Sequence, residues 1–84
     1  MNNVKILYLT TNQILISQIE EVTSELGEPD CKLTEPFLVC NDGTLTPWLL
    51  EYTNQNDFMI SSDKILTIAT PNSKLKLKYE DMLK

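Results

Sequence analysis

The side chains able to do chemistry in these 84 residues fall into four groups, and each group lacks a partner that its chemistry requires. Glu20, Glu21, Glu25, Glu28 and Asp30 crowd one stretch, and oxygen-rich clusters of this kind bind Ca²⁺ or Mg²⁺. No Asp-x-Asp-x-Asp-Gly spacing accompanies them, so the stretch reads as a solvated face. Ser and Thr hydroxyls are plentiful, but the chain has no His to activate one. A Ser–Lys dyad using Lys64 has no flanking motif behind it, and no Gly-rich phosphate loop is present. Cys31 and Cys40 are nine residues apart. On a single strand that odd separation puts them on opposite faces, which forbids a disulfide between them. Two Cys without His and without a C-x-x-C pair fall short of a zinc set. They read as half-buried apolar side chains in a reducing cytoplasm. Lys74, Lys76, Lys78 and Lys84 occupy the last eleven residues, either as a phosphate-binding stripe or, more simply, as the solubilising face of a helix.

What is missing narrows the function further. All seven basic residues are Lys, so no Arg can clamp a phosphate or a guanine in bidentate fashion. The formal charge of −5 provides no basic field for nucleic acid or an anionic membrane. The chain therefore reads as non-enzymatic, with no cofactor and no metal. With 42% hydrophobic and 23% charged residues it has an ordinary globular composition. Residues 1–10 do not form a secretion signal, and no apolar run approaches the roughly 18 residues of a membrane span. The expected location is the cytoplasm. A chain of 84 residues builds one domain with a thin core. Domains of this size often add a disulfide, a metal or an oligomeric interface, and only the last remains open here.

Residues 4–10 are rich in β-branched and aromatic types and read as a first strand, closed by a turn at Thr11-Asn12. Residues 13–26 are ambiguous. Leu15, Ile19, Val22 and Leu26 make a helical stripe, with Gly27 and Pro29 to end it. Ile14 and Ile16 alternate as in a strand, but the alternation slips between Ser17 and Ile19 and would need a bulge. Residues 31–40 read as a strand bent or edged at Pro36. Asn41-Asp42-Gly43 is a hairpin signal, with Asp-Gly supplying two positive-φ positions. Residues 44–52 return as a strand containing Pro47. Residues 58–60 and 64–70 are two further strands around a tight turn at residues 61–63. A helix spans about 71–83, with Thr70 as N-cap and Leu75, Tyr79, Met82 and Leu83 on one face.

Trp48-Leu49-Leu50 after Pro47 is the most informative apolar run. It suits either the core or an edge strand docked on another subunit.

The segment Phe58-Met59-Ile60-Ser61-Ser62-Asp63-Lys64-Ile65-Leu66-Thr67-Ile68 resembles the second motif of the Sm-like (LSm) family, an apolar strand running through a tight turn into an Ile-rich strand. Residues 4–16 are similar to the first motif, with Thr11-Asn12 where the family usually has Asp-Gly. The whole chain resembles still more the small Sm-like proteins of cyanophages. Those proteins combine a Lys-x-Leu-x-Leu-x-Thr-Gly opening strand, a Pro-Trp pair and a C-terminal helix. Here these are Lys5, Leu7 and Leu9 before Thr11-Asn12, then Pro47-Trp48, then Thr70-Pro71-Asn72. The resemblance implies an all-β fold, a small, strongly bent five-stranded antiparallel barrel with one C-terminal α-helix, in which residues 13–23 are a long bent strand. It also implies a homo-oligomeric ring of about five to seven subunits. Pro47, Trp48, Leu49, Leu50, Ile65 and Ile68 are then the candidate interface. Single-stranded RNA becomes a candidate ligand, held by Ser61, Ser62, Asp63 and Lys64. The family's Arg-Gly is Ser61-Ser62 here, and its Asp-x-x-x-Asn has no clean equivalent near Glu28-Pro29-Asp30. The alternatives are a ring that binds protein without affinity for RNA, and a monomeric βαβ-type domain with residues 13–26 helical. On the Sm-like reading the protein is phage-related and works in the host cytoplasm.

Overall fold

A computed structural model describes residues 3–83 as six strands and one helix. The strands are β1 (Val4–Leu9), β2 (Ile14–Glu21), β3 (Cys31–Val39), β4 (Leu45–Pro47), β5 (Asp57–Ile60) and β6 (Ile65–Ala69), followed by α1 (Ser73–Met82). All pairings are antiparallel, in the order β4-β3-β2-β1-β6, with β5 also on β3. The expected mainly-β architecture with one C-terminal helix is present. β4 and β5 both run along β3, β4 beside its second half and β5 beside its first. They form one interrupted course, which brings the strand number to six.

β5 and β6 lie at opposite ends of this order, yet a single 3₁₀ turn, Ser62–Lys64, connects them. The four residues between Ile60 and Ile65 reach only about 14 Å even fully extended. The sheet must therefore curl until its two edges approach each other. On the concave face Leu7, Leu9, Leu15 and Leu33 are buried, joined by Ile19, Leu38, Trp48, Phe58, Ile60 and Ile65. On the convex face Val4, Ile16, Phe37 and Leu45 meet Tyr79 of α1, with Leu75 and Leu83 beside it.

Both faces of β2 are thus covered, which explains its ambiguous pattern. Leu15 faces inward and Ile16 faces the helix, so apolar residues sit side by side instead of alternating. Residues 13–26 contain no helix. Ile14–Glu21 pair with both β1 and β3, which removes the βαβ alternative. The slip in the alternation corresponds to a register shift between Ile16 and Gln18, where Glu35 and Pro36 of β3 stand against Ser17 alone. The additional residue therefore lies on β3. Glu35 adopts φ 52°, and Pro36 has no N–H to leave unpaired.

This bulge also changes the cysteine argument. It shifts parity, so Leu33 and Leu38, five apart, both face inward. Cys31 and Cys40 remain free, Cys31 opening β3 and Cys40 directly following its last residue, so the length of the strand separates them.

Three further expectations need correction. The strand expected over residues 44–52 stops at Pro47, and residues 48–52 turn away with Leu49 at φ 61°. In the β3–β4 hairpin only Gly43 takes positive φ, at 86°. Asp42 instead accepts bonds from the Thr44 amide and hydroxyl. Those two bonds, the hydroxyl's first, hold the Asp42 carboxyl below its usual range. The helix is capped by Asn72, whose Oδ1 accepts the Leu75 amide at 2.8 Å, and not by Thr70. Lys78 Nζ ties α1 to the hairpin through the Gly43 carbonyl at 2.9 Å, so this lysine serves the fold. Lys84 lies outside the described residues.

Candidate functional site

The turn that links the two sheet edges is held from three sides. The Asp30 carboxylate, just before β3, accepts the Ser62 amide at 2.7 Å and the Ser62 hydroxyl at 2.8 Å. The Thr10 amide donates to the Lys64 carbonyl at 2.9 Å, and the Lys64 amide closes the turn on the Ser61 carbonyl at 3.0 Å. The Ser62 amide bond, then the hydroxyl bond, hold the Asp30 carboxyl below its usual range. Beside this clamp Gly27, Glu28, Asp30, Ser61, Ser62 and Asp63 line a hollow of about 190 Å³. Of the four residues expected to contact RNA, the structure brings Ser61, Ser62 and Asp63 into this hollow and leaves Lys64 out of its lining. The lining contains three carboxylates and no ammonium group, a field that repels phosphate. Sequence reading missed Asp30 as the organiser of the turn, because its partner lies 32 residues away.

The expected interface residues separate into two sets. Trp48 leans into the concave core, edge-on to Phe58 with ring centroids 5.6 Å apart, and Ile65 joins the same cluster. These two are therefore core side chains in the protomer. Pro47, Leu49 and Leu50 border a shallow groove of about 220 Å³ together with Gln13, Leu38 and Tyr52. Leu50 and Ile68 are exposed.

Ile68 is the unusual one. In an antiparallel pair, residues directly opposite each other share a face. Ile68 stands opposite Leu7, which is fully buried on the concave side, yet Ile68 is 54% exposed. The register of β6 against β1 shifts between Tyr8 and Leu9, leaving Leu66 as a bulge residue at 58% exposure. β6 ends the sheet on one side and β5 borders it on the other, so both carry unpaired outer edges. On β5 Phe58 and Ile60 face the core, and Met59 is 50% exposed. Phe58, Met59, Ile60 and Leu66 were not among the expected interface residues. The run of three apolar residues at 58–60 was the only signal for the first three, and Leu66 had none beyond its place in an apolar strand.

The pattern that describes a family of unknown function (DUF6561) matches residues 2–84. The chain belongs to the DUF6561 family. No curated protein matches it.

In this DUF6561 chain the described residues include no group of three or more His, Cys, Asp and Glu side chains placed to hold a metal ion. No helix among them is long and apolar enough to cross a membrane. Burial, and then the nearby Asp30 and Glu21 carboxylates, push the Cys31 thiol up, which opposes formation of a nucleophilic thiolate. The chemistry that this member of DUF6561 presents is therefore that of apolar edges and an acidic hollow.

Proposed function

We propose that the chain is a non-catalytic scaffold that closes into a homo-oligomeric ring, β6 of one copy adding to β5 of the next. One observation carries this reading: Ile68 occupies a core-facing position opposite buried Leu7 and is itself half exposed at an unpaired edge. A second copy supplies the missing cover and removes both free edges at once, which suits a domain with a core this small. Joining two different edges is a head-to-tail contact, and such contacts close into rings when the rotation permits. The curled sheet and the short 3₁₀ turn between its last two strands support the resemblance to Sm-like proteins.

The acidic lining around Ser61, Ser62 and Asp63 favours a protein partner over RNA for such a ring. Light scattering after size exclusion tests the assembly: a discrete multiple of 9.6 kDa, stable on dilution, is expected, and a monomer overturns it. Oligo-U titration tests the ligand class. No binding is expected. Salt-sensitive binding that is lost when Ser61→Ala and Lys64→Ala are combined would restore the RNA reading.

A further inference from the structure

We propose that the groove beside Trp48 docks a segment of a partner protein, one apolar side chain flanked by Lys or Arg, whose neutral peptide carbonyl accepts the Trp48 indole N–H. This rests on the reading of a protein partner above, names its surface and chemistry, and holds for a monomer as for a ring.

Three features meet where the chain leaves β4. The Trp48 indole lines the groove, and its N–H is buried without an acceptor among the described residues. A buried donor nearly always has a partner, because leaving it unpaired forfeits the bond it made with water. Leu49 sits at φ 61°, in the left-handed region that a side chain disfavours. Its carbonyl accepts the Tyr52 and Thr53 amides at 2.9 and 3.1 Å, which fixes the turn in that conformation. Strain held in place by surrounding bonds clusters at ligand clamps. Leu50 and Tyr52, which border the same groove, are 56% and 81% exposed.

Size and charge select the occupant. The volume of about 220 Å³ lies below the roughly 300–1,000 Å³ of small-molecule and cofactor sites, and suits one side chain of a larger partner. Glu51 is the one charged residue of the lining. That carboxylate, on a chain of formal charge −5, repels a ligand whose acceptor is itself a carboxylate or a phosphate. A peptide carbonyl is an acceptor without charge, and a Lys or Arg near it complements Glu51. A short stretch of polypeptide meets all three requirements.

Trp48 is the only Trp, so the protein has a single indole N–H resonance to report on the groove. The probe is the blocked peptide acetyl-Lys-Gly-Leu-Gly-Lys-amide, compared with its Glu-flanked and Ser-centred counterparts in ¹H–¹⁵N titrations. Saturable binding of the Lys-flanked peptide at millimolar concentration is expected, moving the indole proton downfield together with the Leu50 and Tyr52 amides. The Ser-centred peptide should not bind, and the Glu-flanked one should bind about fivefold more weakly. Glu51→Lys should reverse that order of charge. Trp48→Phe should weaken the Lys-flanked peptide about two- to tenfold. If Trp48→Phe does not fold, the indole shift and the Glu51→Lys variant, at an exposed residue, decide the outcome. No saturable shift, equal binding of the three peptides, an unmoved indole proton, or an order of affinity unchanged by Glu51→Lys overturns the proposal. Light scattering of the same sample separates docking from assembly. A monomer that binds the peptide sinks the ring alone, and an oligomer that does not bind it sinks the docking site alone.

Discussion

The Tyr79 hydroxyl of α1 donates to the Glu35 carbonyl at 2.8 Å, joining the helix to the bulge of β3 across 44 residues of chain. The Thr34 carbonyl lies 3.3 Å from the same hydroxyl and 3.2 Å from that of Ser17, which also donates to the Gln18 carbonyl at 2.8 Å. The Glu35 amide and the Pro36 carbonyl bond to Asn56 and Trp48, at the two ends of the loop between β4 and β5. A bulge breaks ladder bonds, and here side chains and a loop satisfy the groups it releases. The Tyr79 ring packs edge-on against Phe37 at 5.7 Å, so one side chain fills the convex core and caps the bulge.

Tyr79→Phe keeps the ring and removes the cap. Leaving a buried carbonyl without its donor is expected to cost about 1–3 kcal/mol in urea unfolding. An unchanged midpoint would mean that the hydroxyl contributes nothing. Burial raises the Tyr79 phenol above its usual range, so its share of stability is complete below the unfolded value of about 10. That share falls as alkaline pH ionises the unfolded chain first. The Phe variant should lack this alkaline loss.

Glu35 sits at φ 52°, a region that costs a residue with a side chain about 1–2 kcal/mol. Glu35→Gly relieves that cost and should hold or raise the unfolding midpoint, although the unfolded chain gains freedom. Glu35→Val, whose branched side chain is disfavoured there, should lower it. The opposite order in parallel denaturation curves would refute the strained-bulge account.

Asp30 clamps the turn between β5 and β6 through Ser62. Its carboxyl is held low by those bonds, so the clamp's contribution is complete above the usual Asp range. It is lost as pH falls through the lowered value. Asp30→Ala should therefore speed amide exchange at Ser62 near neutral pH. It should also flatten the acid limb of the stability curve. Exchange at Ser62 equal to wild type would show that the turn does not depend on the clamp.

Ile68→Lys places a charge on the edge that is proposed to meet β5 of the next copy. Loss of the oligomer is expected, with about 1–3 kcal/mol withdrawn per interface. The circular dichroism of the protomer should be unchanged, because Ile68 is already half exposed. Leu77→Lys, at an equally exposed site on α1, should leave the mass unaltered. Equal masses for both variants and wild type would remove Ile68 from the interface.

Much of this fold was legible in the residues. β1, the closing strand and the C-terminal helix stand close to where β-branched runs and the Leu75–Tyr79–Leu83 stripe put them. The slip between Ser17 and Ile19 pointed to a bulge on its own strand, whereas the extra residue lies opposite it on β3, beside the bend read at Pro36. What the residues alone left open was residues 13–26. A strand covered on both faces loses its alternation, so the Leu15, Ile19, Val22 and Leu26 stripe read as helix while Ile14 and Ile16 read as strand.

The sequence by itself determined the absence of imidazole and guanidinium chemistry, the punctuation by Gly43 and Pro71, and the supply of apolar residues for two thin layers. Only the tertiary structure decided which of those residues became core and which became edge. Trp48 and Ile65 turned inward, while Ile68 stayed half exposed. It also brought Asp30 to Ser62 and Tyr79 to Glu35. The physical reason is range: propensity and turn chemistry act over a few residues, whereas ladder partners, face and burial depend on strands tens of residues away.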